Sequence, residues 1–156
     1  LAESRNESPF IVVCDSLEDP HNLGAILRSA EAAGVHGVII PKRNSVTLNY
    51  TVAKTSAGAI EYVPVVKVAN LPAAIDELKS RGVWIFGADM DGTDYTALDY
   101  SGSIALVIGS EGKGIGRLVR EKCDFIASLP MRGKINSLNA SVAAGILMFE
   151  AAKHRN

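Results

Sequence analysis

The sequence predicts an α/β fold: a mostly parallel sheet with helices on both faces. Three observations lead there. The apolar runs are short, rich in β-branched residues and nearly continuous, as suits strands buried on both faces. Stretches with apolar residues at helical spacing lie between them. The two kinds alternate along the whole chain.

The strands are expected at 9–14 ("PFIVVC"), 37–40 ("GVII"), 63–68 ("VPVVKV"), 83–88 ("VWIFGA") and 104–108 ("IALVI"), with a weaker sixth at 125–129. The first helix is expected at 22–33, where Leu23, Ile26, Leu27 and Ala30 form a stripe and Gly34 ends it. A second helix is expected at 71–81, from Leu71, Ala74, Ile75 and Leu78, ended by Gly82. Shorter helices are expected at 49–57 and 116–122, and a last one at 138–153. No internal repeat, low-complexity segment or linker interrupts the pattern.

Length and composition bound the answer. The chain's 156 residues suit one domain with a real core. Its 47% hydrophobic and 21% charged residues exclude a disordered chain. No apolar run approaches the roughly 20 residues of a membrane span. The polar start "LAESRNESPF" is no secretory signal, and without an initiator Met the chain reads as a processed or excised piece. Cys14 and Cys123 match no ligand spacing and read as reduced thiols, which fits a cytoplasmic protein. His21, His36 and His154 form no metal pattern. A formal net charge of −1 excludes electrostatic nucleic-acid binding by the chain as a whole, though not by a local patch.

"ALVIGSEGKGIG" (105–116) is a strand, a glycine-rich turn and a helix start, a context that invites a nucleotide. The phosphate-loop pattern fails, because Ile115 stands where lysine is needed. The dinucleotide pattern fails at Arg117, and the turn comes after the fifth strand, not the first. No nucleophile elbow is present. One reading is a turn that lets a helix pack closely on the sheet. The other is a ligand site, since Glu111 lies at a strand's C-terminal end, where open α/β sheets place ligands. Its carboxylate would repel a phosphate and favour a neutral or cationic ligand.

Three stretches carry a resemblance: "DPHNLGAILRSAEAAG" (19–34), "LVIGSEGKGI" (106–115) and "SLPMRGKINSLNASVAAGILMFE" (128–150). In this order they resemble the three motifs of the SpoU (TrmH-type) branch of the SPOUT methyltransferases. Those enzymes methylate the ribose 2′-hydroxyl of RNA with S-adenosyl-L-methionine. Within the family the chain most resembles the bacterial 23S rRNA guanosine-2′-O-methyltransferases; a tRNA target is the enzymatic rival. A catalytically silent, dimeric RNA-binding module is a further alternative, opposed by the polar residues that match the motifs.

The resemblance implies a C-terminal deep trefoil knot, an exception to the rule that chains do not thread loops. It also implies a homodimer with the active site at the subunit interface, and no metal. It divides the chain into a tail or linker remnant at 1–8 and a catalytic domain at 9–156. The family's separate N-terminal RNA-binding domain is expected to be absent from this chain, and RNA binding correspondingly weak. The cofactor would be contacted by Gly109, Leu129 and Leu138, with Met131 and Ala88 as further candidates. For Leu129 and Leu138, core packing is the alternative account.

For catalysis the resemblance points to Arg28, Asn22, Glu111, Ser137 and Asn139. A ribose hydroxyl is a poor nucleophile, so its proton must be removed and its oxygen aligned. Arg28 would do this as a base, which its high pKa makes awkward, or as a phosphate clamp that orients the ribose. Alone, Arg28 reads rather as a snorkelling arginine or one paired with Glu31 or Glu61, and Asn22 as a helix cap. Lys42, Arg43, Lys54, Lys113, Arg117, Arg132 and Lys134 cluster near the motifs and could track a phosphate backbone.

Overall fold

The computed structural model describes residues 1–42 and 48–155. Six strands form one parallel sheet: β1 (Phe10–Cys14), β2 (Gly37–Pro41), β3 (Val65–Val68), β4 (Trp84–Asp94), β5 (Ile104–Ile108) and β6 (Phe125–Ser128). Their order is β3-β2-β1-β5-β4-β6. Helices α1 (Pro20–Ala33), α2 (Tyr50–Thr55), α3 (Leu71–Ser80), α4 (Arg117–Lys122) and α5 (Ala140–Ala152) complete the fold.

Strand alternation divides the core between the two faces. Phe10, Val12, Cys14, Ile104, Leu106 and Ile108 point to the face covered by α1, α2 and α5. Val13, Ala105 and Val107 point to the face covered by α3 and α4. The central strands are therefore apolar throughout, which is why they read as continuous runs.

Local chemistry sets the element ends. The first helix begins two residues earlier than the apolar stripe suggests. Pro20 takes its first position, where a missing N–H costs nothing, and Asp19 caps it by accepting from the His21 N–H. Asn22 is thus not the cap. Gly34 closes this helix at φ +85°, as expected. The last helix begins later than expected, at Ala140, with Asn139 as its cap. The strand expected at 63–68 starts at Val65.

β4 departs most from expectation, running on to Asp94. Ala88 and Thr93 both pair with Ala127 of β6, so residues 89–92 leave the ladder as an excursion at the strand's C-terminal end. Gly92 is required there, because a Cβ would lie 2.4 Å from the Ile126 carbonyl oxygen.

At the opposite end of the sheet the first eight residues are tied down. They carry a short 3-10 turn at Glu3–Arg5, and Ala2 is buried. His36 Nδ1 accepts from the Phe10 N–H at 2.9 Å, which leaves Nε2 to donate to Glu7 at 3.1 Å. Arg155 donates to the carbonyls of Ser8 and of Gly102 (2.6 Å), and lies 4.8 Å over the Phe10 ring. Cys14 and Cys123 are free thiols; burial pushes the first up to about 12 and the second to about 11. Among the described residues no helix is long and apolar enough to cross a membrane.

Candidate functional site

The site lies at the C-terminal ends of the strands. The β4 excursion, the glycine-rich turn after β5, the segment after β6 and the approach to α5 surround one cavity of about 400 Å3. That falls within the usual range for small-molecule sites, roughly 300–1,000 Å3. All five residues expected to contact a cofactor line it: Ala88, Gly109, Leu129, Met131 and Leu138. Ala88 and Leu129 also rest against the main core, so core packing and cavity lining are one role for them.

Gly109 is needed for a reason that sequence reasoning did not supply. A Cβ there would lie 2.2 Å from the Gly114 carbonyl carbon and oxygen and 2.5 Å from the Ile115 nitrogen. The close backbone approach is the chain's own. The turn folds back on its strand, held by the Gly114 N–H donating to the Ser110 carbonyl at 3.0 Å. Gly112 and Gly114 take left-handed φ values of +76° and +67°.

A second cavity, of about 270 Å3, opens between the ends of β1 and β5. Ser16, Leu17, Glu18, Asp19, Asn22, Ser110 and Glu111 line it. Here the strand order reverses, the position at which open α/β sheets bind ligands. Glu111 and Ser110 line both cavities.

Of the five residues expected in catalysis, the structure gathers Asn22, Ser137 and Asn139 around a fourth, Glu111. Asn22 shares the second cavity with it, and Ser137 the first. Asn139 donates from Nδ2 to Glu111 Oε1 at 2.7 Å, while its Oδ1 accepts from the Ser141 N–H (2.9 Å) and hydroxyl (2.5 Å). One asparagine therefore caps α5 and holds the carboxylate shared by the two cavities. Arg28 stands apart: it is exposed on α1, outside both cavities, and pairs with neither Glu31 nor Glu61. Lys113 lines the first cavity, while Arg117 pairs with Glu121 at 3.2 Å. Lys42, Lys54, Arg132 and Lys134 are exposed, and Arg43 lies outside the described residues.

Sequence reasoning missed Asn136, which lines the first cavity, and Ser141, whose hydroxyl orients the Asn139 oxygen. It also missed Asp89 and Asp91 in the β4 excursion. The available signal was "DMDG" directly after an apolar strand, a composition too polar to continue it. No group of three or more His, Cys, Asp or Glu side chains able to hold a metal occurs among the described residues.

A parallel α/β sheet whose terminal turns enclose a cavity of small-molecule size, beside a second opening at the order reversal, is an α/β domain with a candidate ligand site. Comparison narrows the class: the SpoU rRNA Methylase family model matches residues 9–149, and the chain belongs to that family. It is 57% identical over 156 residues to YacO of Bacillus subtilis, a protein named for the TrmH family of tRNA/rRNA methyltransferases. A Staphylococcus aureus protein named for the same family is 58% identical over 147 residues. The alignments take in 99% and 94% of this chain but only 63% and 59% of those proteins. Among solved structures, the SpoU methyltransferase AviRb of Streptomyces viridochromogenes, in complex with AdoMet, aligns with a TM-score of 0.87 at 30% identity. That match covers 94% of this chain and 60% of AviRb. The AdoMet-bound rRNA methyltransferase of Sinorhizobium meliloti gives 0.87 at 31% identity, covering 95% and 57%.

Proposed function

We propose that this chain is the catalytic domain of an S-adenosylmethionine-dependent methyltransferase acting on the ribose 2′-hydroxyl of RNA, with a guanosine of 23S rRNA as its target. The observation that carries this reading is the Glu111–Asn139 bond, which joins a cavity suited to a nucleoside cofactor to a second cavity at the strand-order reversal. The AdoMet-bound relatives and the rRNA methyltransferase among them support it. A tRNA target is the second reading, favoured by a comparable match, TM-score 0.85, to a TrmH/SpoU tRNA modifying enzyme of A. aeolicus.

The residues present fit the cofactor. Ala88, Leu129, Met131 and Leu138 offer apolar walls, and the turns at Gly109 and 128–131 offer backbone donors and acceptors at the cavity's rim. When bound, S-adenosylmethionine supplies an electrophilic sulfonium methyl. The chain's own residues do the rest. Glu111, fixed by Asn139, faces both cavities and orients groups between them; Asn22 and Ser137 present hydrogen-bonding side chains from either side. Arg28 positions the ribose through its phosphate or, only after giving up its own proton, accepts that of the 2′-hydroxyl.

Arg28 lies outside both cavities, so it acts on a site completed by a second subunit, consistent with a homodimer. Val142, Ile146 and Phe149 on α5 are exposed apolar residues suited to that contact. The threading of the C-terminal segment into a trefoil knot belongs to the same proposal. The test is to incubate the protein with labelled cofactor and total RNA and map the label. Label on a 23S guanosine 2′-oxygen supports the reading. Label on tRNA selects the alternative, and no label on any RNA rejects both.

A further inference from the structure

The glycine-rich turn is bonded by one aspartate and flanked by another. The strand order places β5 between β1 and β4. Asp15 comes directly after the last residue of β1; its N–H donates to the Ile108 carbonyl at 2.7 Å, at the end of β5. Its Oδ2 accepts from the Gly116 N–H at 2.7 Å, holding the far end of the turn. Asp89 opens the β4 excursion. Its Oδ1 lies against Gly114, 2.8 Å from where a Cβ would stand, and accepts from the Met90 N–H at 2.8 Å. Its Oδ2 pairs with Arg120 of α4 at 2.6 Å. Between Ile108 and Gly116, both bonded to Asp15, the turn carries Gly109 and Glu111, one on each side of Ser110.

We infer that Asp15 and Asp89 are positioning residues that clamp the turn across the cofactor cavity, and that the two anchors govern different steps. Asp89, held by Arg120, lines the cofactor cavity and sets where the turn stands over it. Asp15 fixes the end of the turn beside β1, the strand that leads into the second cavity, and so fixes the side of Glu111 that faces the ribose. This inference rests on the proposed function. Asp15 acts through its bond to the Gly116 N–H, and Asp89 by standing against Gly114 where it lines the cavity. The Gly116 N–H bond to the Asp15 carboxylate is worth enough to displace a turn of glycines when lost.

The experiment pairs cofactor binding by calorimetry with single-turnover transfer. Asp89→Asn is expected to weaken cofactor affinity about tenfold, with transfer at saturating cofactor little changed. Arg120→Met should match it and Arg120→Lys should restore most of the affinity. Asp15→Ala should slow transfer about tenfold at nearly unchanged cofactor affinity, and Asp15→Asn, which keeps an acceptor for Gly116, should restore the rate. Circular dichroism and the melting temperature of each cofactor-free variant exclude unfolding. If Asp15→Ala fails to fold, Asp15→Leu, near aspartate in size but without an acceptor for the Gly116 N–H, takes its place beside Asp89→Asn. Equal losses of affinity and rate in both, or none, overturn the clamp. Failure of the unaltered protein to bind cofactor overturns the proposed function instead.

Discussion

At the C-terminal end of the sheet the chain makes space; at the N-terminal end it removes it. The first end is built from backbone turns, with Gly109, Gly112 and Gly114 allowing a tight fold-back and polar side chains facing two cavities. The second is plugged by side chains: Tyr100 and Phe10 fully buried, Arg155 spanning Ser8 and Gly102, and His36 locked between Phe10 and Glu7. The same strands feed both ends, so the difference lies in the segments that connect them. Activity and stability should therefore separate along the strand axis.

The sharpest test of that separation is Arg28→Ala. Transfer should fall by about 100-fold or more while cofactor affinity and melting temperature hold. A large loss of cofactor affinity in calorimetry, with transfer intact, would overturn the assignment. Gly109→Val comes next. Its Cβ has no room beside the Gly114 backbone, so cofactor binding should be lost and stability lowered by about 1–3 kcal/mol, readable by denaturant unfolding.

Asn139→Ala tests the hub. It should cost about 1 kcal/mol as a lost helix cap and slow transfer more than that stability loss explains, because Glu111 loses its fixed partner.

Arg155→Ala probes the other end. Melting temperature should fall with cofactor affinity unchanged, and a fall in affinity would show that the ends are coupled.

The smallest expected effect is that of acid on the Glu7–His36 contact. The hydrogen bond from His36, chiefly, holds the Glu7 carboxyl below its ordinary value of 4.5. Its contribution to stability is therefore full above that value and lost as pH falls through the lowered one. Glu7→Gln should remove this dependence from acid-unfolding curves and leave cofactor binding untouched.

The fold was readable because the buried parallel strands print themselves as unbroken apolar runs and Gly34 marks a helix end without ambiguity. Apart from Glu111, the cavity-lining residues that were read were readable only through resemblance. Leu129 and Ala88 carry the same signal as core residues because they pack on the core and line the cavity at once. The helix starts were misplaced where more than one polar residue could cap: Asp19 caps ahead of Asn22, and Asn139 caps later than Ser137 would. The β4 excursion was hidden because a ladder that pauses at Ala88 and resumes at Thr93 is a pairing between distant strands, not a local pattern. Likewise, the Glu111–Asn139 bond is made by tertiary structure alone.

The pairing of β1 with β5 has a consequence for how the molecule comes into being. Phe10 pairs with Ile104, and Cys14 with Ile108, so the middle of the sheet joins an early segment to a late one. During synthesis β1, β2 and β3 can associate first, but β1 then keeps an unpaired edge until β5 emerges. Such non-local pairing slows folding and leaves a strand edge open to wrong partners. Asn139 and α5 come later still. Only a chain that has been finished and correctly closed can hold Glu111 in place, so cofactor binding reports on the completion of folding.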